Sequence, residues 1–144
     1  MICRRWIRLP IRWRSPKTPA SAHDATTGTP ARLIQCDVTA AGSRIYWLAI
    51  EARADAKLEA LDATLRRTWL ECCGHLSAFR IGDVDYFSRG YEVGGWSVPG
   101  LTRKRVERTM TARLGDALPP VGDRIGYEYD FGSTTMLQLT VTSE

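Results

Sequence analysis

The sequence predicts an α+β domain, a small antiparallel sheet with one long helix, on three observations. Tyr127, Tyr129 and Phe131 alternate with Glu128 and Asp130, as a strand with one apolar face requires. Leu137, Leu139 and Val141 repeat that alternation against Gln138 and Thr140, so the two runs read as an antiparallel hairpin with one wet face. Leu58, Leu61, Leu65 and Trp69 recur at intervals of three and four, the buried stripe of an amphipathic helix.

The elements follow in chain order. Residues 1–44 show neither helical nor strand periodicity: Arg, Trp and Pro come first, then a stretch rich in Ser, Thr, Ala, Pro and Gly from Ser15 to Pro30. Such a segment buries too little apolar surface to offset the entropy of ordering, so 1–44 is expected to be a disordered basic leader and 45–144 the folded domain. Its opening run, Arg4-Arg5-Trp6-Ile7-Arg8, also suits an anionic surface, and an Arg-rich, acid-poor leader resembles a targeting peptide. Ile45 to Ile50 is an apolar run of strand length. Asp55 stands where a helix cap is expected, Asp62 and Arg66 form an i,i+4 pair on that helix, and Gly74 is its expected stop.

Phe79 to Ile81 and Val84 to Phe87 read as a hairpin turned by Gly82-Asp83. Residues 88–100, glycine-rich and carrying Trp96, read as a surface loop. Thr102 to Leu114 fits helix and strand equally, and Gly115 to Gly122, with Pro119-Pro120, is a turn. Ile125 to Phe131 and Thr135 to Val141 form the last hairpin, with Gly132 expected to supply a positive φ between them.

The chain has 144 residues and a formal charge of +4, enough length for one domain with a core. Before Tyr46 eight basic residues face two acidic ones, a balance of +6; from Tyr46 onward twelve face fourteen, a balance of −2. The positive excess therefore belongs to the leader, and net charge gives no argument for nucleic-acid binding by the domain. Cys3, Cys36, Cys72 and Cys73 make no disulfide framework, no stretch has the length of a membrane span, and Arg8 and Pro10 interrupt any secretory apolar core. A cytoplasmic protein without a transmembrane segment is the expectation.

Three strings carry a family resemblance: Tyr46 to Ala52 (YWLAIEA), Trp69 to Phe79 (WLECCGHLSAF) and Tyr127 to Thr135 (YEYDFGSTT). In this order and spacing they make the chain resemble the plasmid pRiA4b ORF-3-like family, uncharacterised proteins of plasmids, mobile elements and chromosomes. The resemblance runs from about Tyr46 to the end. It implies a small, mainly antiparallel sheet with one long helix and shorter helices packed on one face, with Thr109 to Arg113 extended and a helical turn from Leu114 to Leu118. Many relatives end the acidic-aromatic strand in Asp-x-Trp-x-His, where this chain has Ser133 to Leu137, so a site borrowed from them lacks its second His. Close relatives continue into a Cys-rich, zinc-binding tail, which makes this chain, ending at Glu144, an expected shortened version.

Four candidate sites follow. His75, Glu128 and Asp130 are the expected polar binding site of a non-enzymatic interaction module with a protein partner. Cys72, Cys73 and His75 are candidate zinc ligands, although a closed site needs four and adjacent cysteines rarely hold one ion. Cys72 or Cys73 with His75 as base and Asp130 or Glu128 as orienting acid would be a nucleophilic arrangement, and the sequence favours a structural His75–Asp130 pair instead. Arg103, Lys104, Arg105 and Arg108, with Arg113, are the basic cluster from which a nucleic-acid interface would be built, without a recognised motif to support it.

Overall fold

A computed structural model describes residues 6–9, 32–43, 45–70, 74–90 and 105–144. Cys72, Cys73, Trp96, Arg103, Lys104 and most of the expected leader lie outside the described residues. One eight-stranded sheet dominates, in the order β1 (Trp6–Leu9), β3 (Trp47–Arg53), β2 (Leu33–Ala40), β8 (Thr135–Ser143), β7 (Arg124–Tyr129), β4 (Ser77–Ile81), β5 (Val84–Phe87), β6 (Val106–Thr109). It is mixed: β1 runs parallel to β3 and β6 parallel to β5, while the five pairings between them are antiparallel.

This corrects the expected architecture of a small sheet with one long helix and shorter helices packed against it. The helix α1 (Leu58–Leu65) continues only through a π-turn, Arg66–Leu70, and α2 (Leu114–Ala117) is a single turn. The added strands come from segments whose alternation is short or preceded by polar sequence. β2 lies inside the expected leader yet sits between β3 and β8, so the boundary at residue 45 cuts through the sheet. Ile34, Cys36 and Val38 are buried while Leu33 and Asp37 are exposed, a period of two masked by the polar stretch before it. β6 makes only Val106–Thr109 of the ambiguous segment strand; the chain turns at 110–111, so the expected extended run from Thr109 to Arg113 is not formed, and Met110 ends up in the core.

One sheet face carries the core. Cys36 pairs with Ile50 on one side and Val141 on the other, Ile125 with Leu139, and Phe79 with both Tyr127 and Tyr86, so each strand adds its inward residues to one apolar layer. Leu58, Leu61 and Leu65 of α1 pack onto that layer. The sheet curls around the helix, because the chain after β3 meets the chain after β6: Leu114 N–H donates to Ala56 at 2.7 Å and Gly115 N–H to Ala54 at 2.8 Å. A Cβ at Gly115 would stand 3.0 Å from the Ala54 Cβ and 3.2 Å from the Ala54 carbonyl oxygen, so glycine lets the two chains approach closely at this seam.

The seam also explains how α1 starts. Asp55 does not cap it; that carboxylate pairs with Arg53 at 2.6 Å. The extended N-cap residue is Lys57, without a side-chain cap, and the Leu58 and Glu59 N–H groups donate instead to the carbonyls of Ala112 and Met110 at 3.0 Å. Backbone from across the seam satisfies donors that a helix leaves open. Among the described residues, no helix is long and apolar enough to cross a membrane.

Candidate functional site

The end of α1 meets strands β4 and β7, and two polar groupings form there on opposite faces of the sheet. Inside, Asp62 is buried on the apolar stripe of α1, four residues after Leu58 and three before Leu65. Its Oδ1 accepts from Tyr127 Oη at 2.7 Å and Ser77 Oγ at 2.6 Å, and its Oδ2 accepts from Arg66 Nε at 2.9 Å. Arg66 Nη2 reaches Ser77 Oγ at 2.8 Å, and its guanidinium lies 5.0 Å from the Tyr129 ring centre. Ser77 is fixed in turn by Ser88, the residue that follows β5: its N–H donates to Ser88 Oγ at 3.0 Å, and its carbonyl accepts from Ser88 N–H at 2.9 Å.

This network unites four elements around one carboxylate. Burial and the neighbouring Asp62 charge push the Tyr127 hydroxyl well above its usual range, so it stays a donor. Tyr127 and Ser77 are fully buried, leaving no approach for a substrate, and the network acts as a structural clamp. Cys36 is equally withdrawn: desolvation, with Asp37 beside it, pushes its thiol up to about 12, far from a reactive thiolate.

Beside the clamp, His75 Nδ1 lies 3.6 Å from Asp130 Oδ1, and the His75 ring meets Tyr129 edge-on at 5.9 Å. Two distant sequence signatures are thus neighbours. Glu128 does not join them. It projects from the opposite face of β7 and pairs with Arg80 of β4 at 2.8 Å, so the expected trio divides into His75–Asp130 and Arg80–Glu128. Asp130, not Gly132, takes the left-handed backbone, with φ 57°. Its N–H donates to Leu76 O at 2.9 Å and its Oδ1 accepts from Gly132 N–H at 3.1 Å, a local bonding pattern that supports this conformation.

That turn redirects Phe131. Alternation placed it with Tyr127 and Tyr129, but it crosses to the open face, remains 38% exposed and meets Phe87 edge-on at 6.1 Å. A shallow groove of about 260 Å³ results, lined by Phe87, Phe131, Thr134, Arg80, Glu128 and Asp85.

Arg105, from the expected basic cluster, donates to Asp85 at 2.8 Å and to the carbonyl of Gly82, so it ties β6 to the β4–β5 turn. Arg108 is exposed on β6. Of the candidate zinc ligands only His75 falls among the described residues, and these contain no cluster of three or more His, Cys, Asp or Glu suited to a metal.

No protein-family model matches the chain, and no curated protein matches it. It is similar in fold to a crystal structure of the protein of unknown function MM3350 from Methanosarcina mazei Go1, with a TM-score of 0.58 at 14% identity over 77% of this chain. The match spans 59% of the length of that protein. At this identity the likeness concerns the fold alone.

Proposed function

We propose that the chain is a non-enzymatic interaction module that takes an extended polypeptide segment on the open sheet face, in the groove between Phe131 and the Arg80–Glu128 pair. The observation that carries this reading is Phe131. A left-handed turn held by two hydrogen bonds carries an aromatic side chain out of the core layer and onto a half-polar face. An aromatic wall beside a charged pair suits a ligand with one apolar side chain flanked by hydrogen-bonding backbone. Withdrawal of Asp62, Tyr127 and Cys36 from solvent supports binding over catalysis. The strings at 46–52, 69–79 and 127–135 support assignment to the pRiA4b ORF-3-like family, and the absence of a disulfide framework in the cysteine pattern supports a cytoplasmic partner.

Peptides selected on the wild-type protein from a random display library test the reading. Phe131→Ser is expected to weaken them about tenfold or more, as loss of an aromatic anchor does, with the melting temperature unchanged. Peptides that bind both proteins equally would place recognition elsewhere.

Zinc binding is the second reading, favoured by the placement of His75: its side chain is 40% exposed and it follows Cys72-Cys73-Gly74 directly. Stoichiometric zinc in purified protein, lost in His75→Ala, would support it. Engagement of Arg105 by Asp85 takes support from the nucleic-acid reading.

A further inference from the structure

The Phe131 groove shares its face of the sheet with a second, larger hollow. This one, of about 500 Å³, is lined by Asp37, Thr39, Trp47 and Gln138 together with the β2–β3 turn at 40–43. Register joins the two. Trp47 pairs with Thr39, Thr39 with Gln138, Gln138 with Gly126, Gly126 with Arg80 and Arg80 with Asp85, so one row of directly opposed residues crosses the sheet from β3 to β5. Trp47 closes one end of that row in the new hollow, and Arg80 and Asp85 close the other in the groove. Gly126 stands between them without a side chain. A Cβ there would meet nothing nearer than the Arg80 Cβ, at 3.5 Å, an ordinary contact, so packing does not demand glycine. A glycine inside a strand weakens it and marks a place where another backbone comes close.

Trp47 and Asp37 give the second hollow a definite chemistry. Asp37 is exposed, its register neighbours Ala49 and Thr140 are uncharged, and no described side chain pairs with its carboxylate. Trp47, half-buried, is a diagonal neighbour of Asp37 across the β2–β3 pair, roughly 7–8 Å away on the same face. An aromatic face beside a carboxylate is the combination that holds an alkylammonium or guanidinium group, and Thr39 and Gln138 add hydrogen-bonding atoms around it. Resting on the groove reading above, we infer that the extended polypeptide runs across the strands over Gly126 and places a Lys or Arg side chain between Asp37 and Trp47. The partner is thus a basic segment with two anchors, one apolar and one cationic. From β2 to β4 the sheet order has three steps of ~4.8 Å, about 14 Å in all, which an extended chain covers in roughly four residues. The basic residue therefore falls about four positions from the apolar one seated against Phe131.

The test uses the full-length chain and peptides selected on wild type from a random display library, sorted first by their loss of binding to Phe131→Ser. Those peptides are expected to carry Lys or Arg about four positions from the apolar anchor and to bind Asp37→Asn and Trp47→Ala about tenfold more weakly. Asp37→Asn should melt as wild type does. Replacing the peptide's basic residue by norleucine should cost as much on wild type and nothing further on Asp37→Asn, a coupling that a merely structural Asp37 would not produce. Gly126→Thr, which sets a branched side chain on the path, should weaken the whole peptide and spare a fragment cut back to the apolar anchor and its immediate neighbours. Peptides that need Phe131 yet bind Asp37→Asn and Trp47→Ala as tightly as wild type would overturn the inference and leave the groove reading standing. Peptides indifferent to Phe131→Ser would remove the groove reading, and the two-anchor arrangement with it.

Discussion

Strands β4 and β7 present two polar groups back to back, and the same two strands treat them in opposite ways. On the closed face Ser77 and Tyr127 join Asp62 and Arg66 with every contact between 2.6 and 2.9 Å. On the open face Arg80 and Glu128 make one ion pair at 2.8 Å beside a partly exposed Phe131. A buried carboxylate persists only when donors surround it, so the first group is a fixed, saturated junction. The second group costs little to keep and little to rearrange, which is what a binding surface needs. Proximity to a π-turn and a left-handed residue, features often found at functional sites, does not distinguish the two; access to solvent does.

Substitutions sharpen that contrast. Asp62→Ala, which leaves Arg66, Ser77 and Tyr127 without their shared acceptor, is expected to cost about 3–5 kcal/mol by chemical denaturation. A loss under ~1 kcal/mol would show that the closed face is not a clamp. Tyr127→Phe removes one donor and should cost about 1–3 kcal/mol in the same assay.

Alkaline pH probes the closed face differently. Because the folded Cys36 thiol titrates at about 12 rather than its ordinary 9.0, its contribution is complete below pH 9 and is lost as pH rises through about 12. Stability should fall across that window and fall less in Cys36→Val; parallel curves would contradict the assigned burial. On the open face Arg80→Ala should change stability by no more than ~0.5 kcal/mol, since its side chain is half exposed. A larger loss would make that pair structural too.

Much of this arrangement was legible where local signals were unopposed. The β4–β5 hairpin turns at Gly82-Asp83 as its sequence requires, the inward set Leu137, Leu139, Val141 is buried, and the Leu58, Leu61, Leu65 stripe faces the core. β2 escaped because its alternation is eight residues long and follows a Pro- and Thr-rich stretch, although Ile34, Cys36 and Val38 carried the signal. Asp62 escaped because an Asp–Arg pair at i,i+4 reads as a solvated helix surface. Its place between Leu58 and Leu65 was the available clue that it points inward. Strict alternation puts Phe131 on the wrong face because it takes no account of a left-handed residue at 130, and the adjacent Gly132 is the position where sequence alone expects the positive φ. Pairing across the sheet, as of Glu128 with Arg80, depends on register, which one strand's sequence does not reveal.

The affinity of one selected peptide, measured by calorimetry for wild type, Phe131→Ser and Tyr127→Phe together with their melting temperatures, tests the division of labour most directly. The expected result is that Phe131→Ser loses about tenfold or more in affinity at an unchanged melting temperature, while Tyr127→Phe melts earlier and binds as wild type does. The reverse pattern, with binding lost on the closed face and spared on the open one, would contradict it.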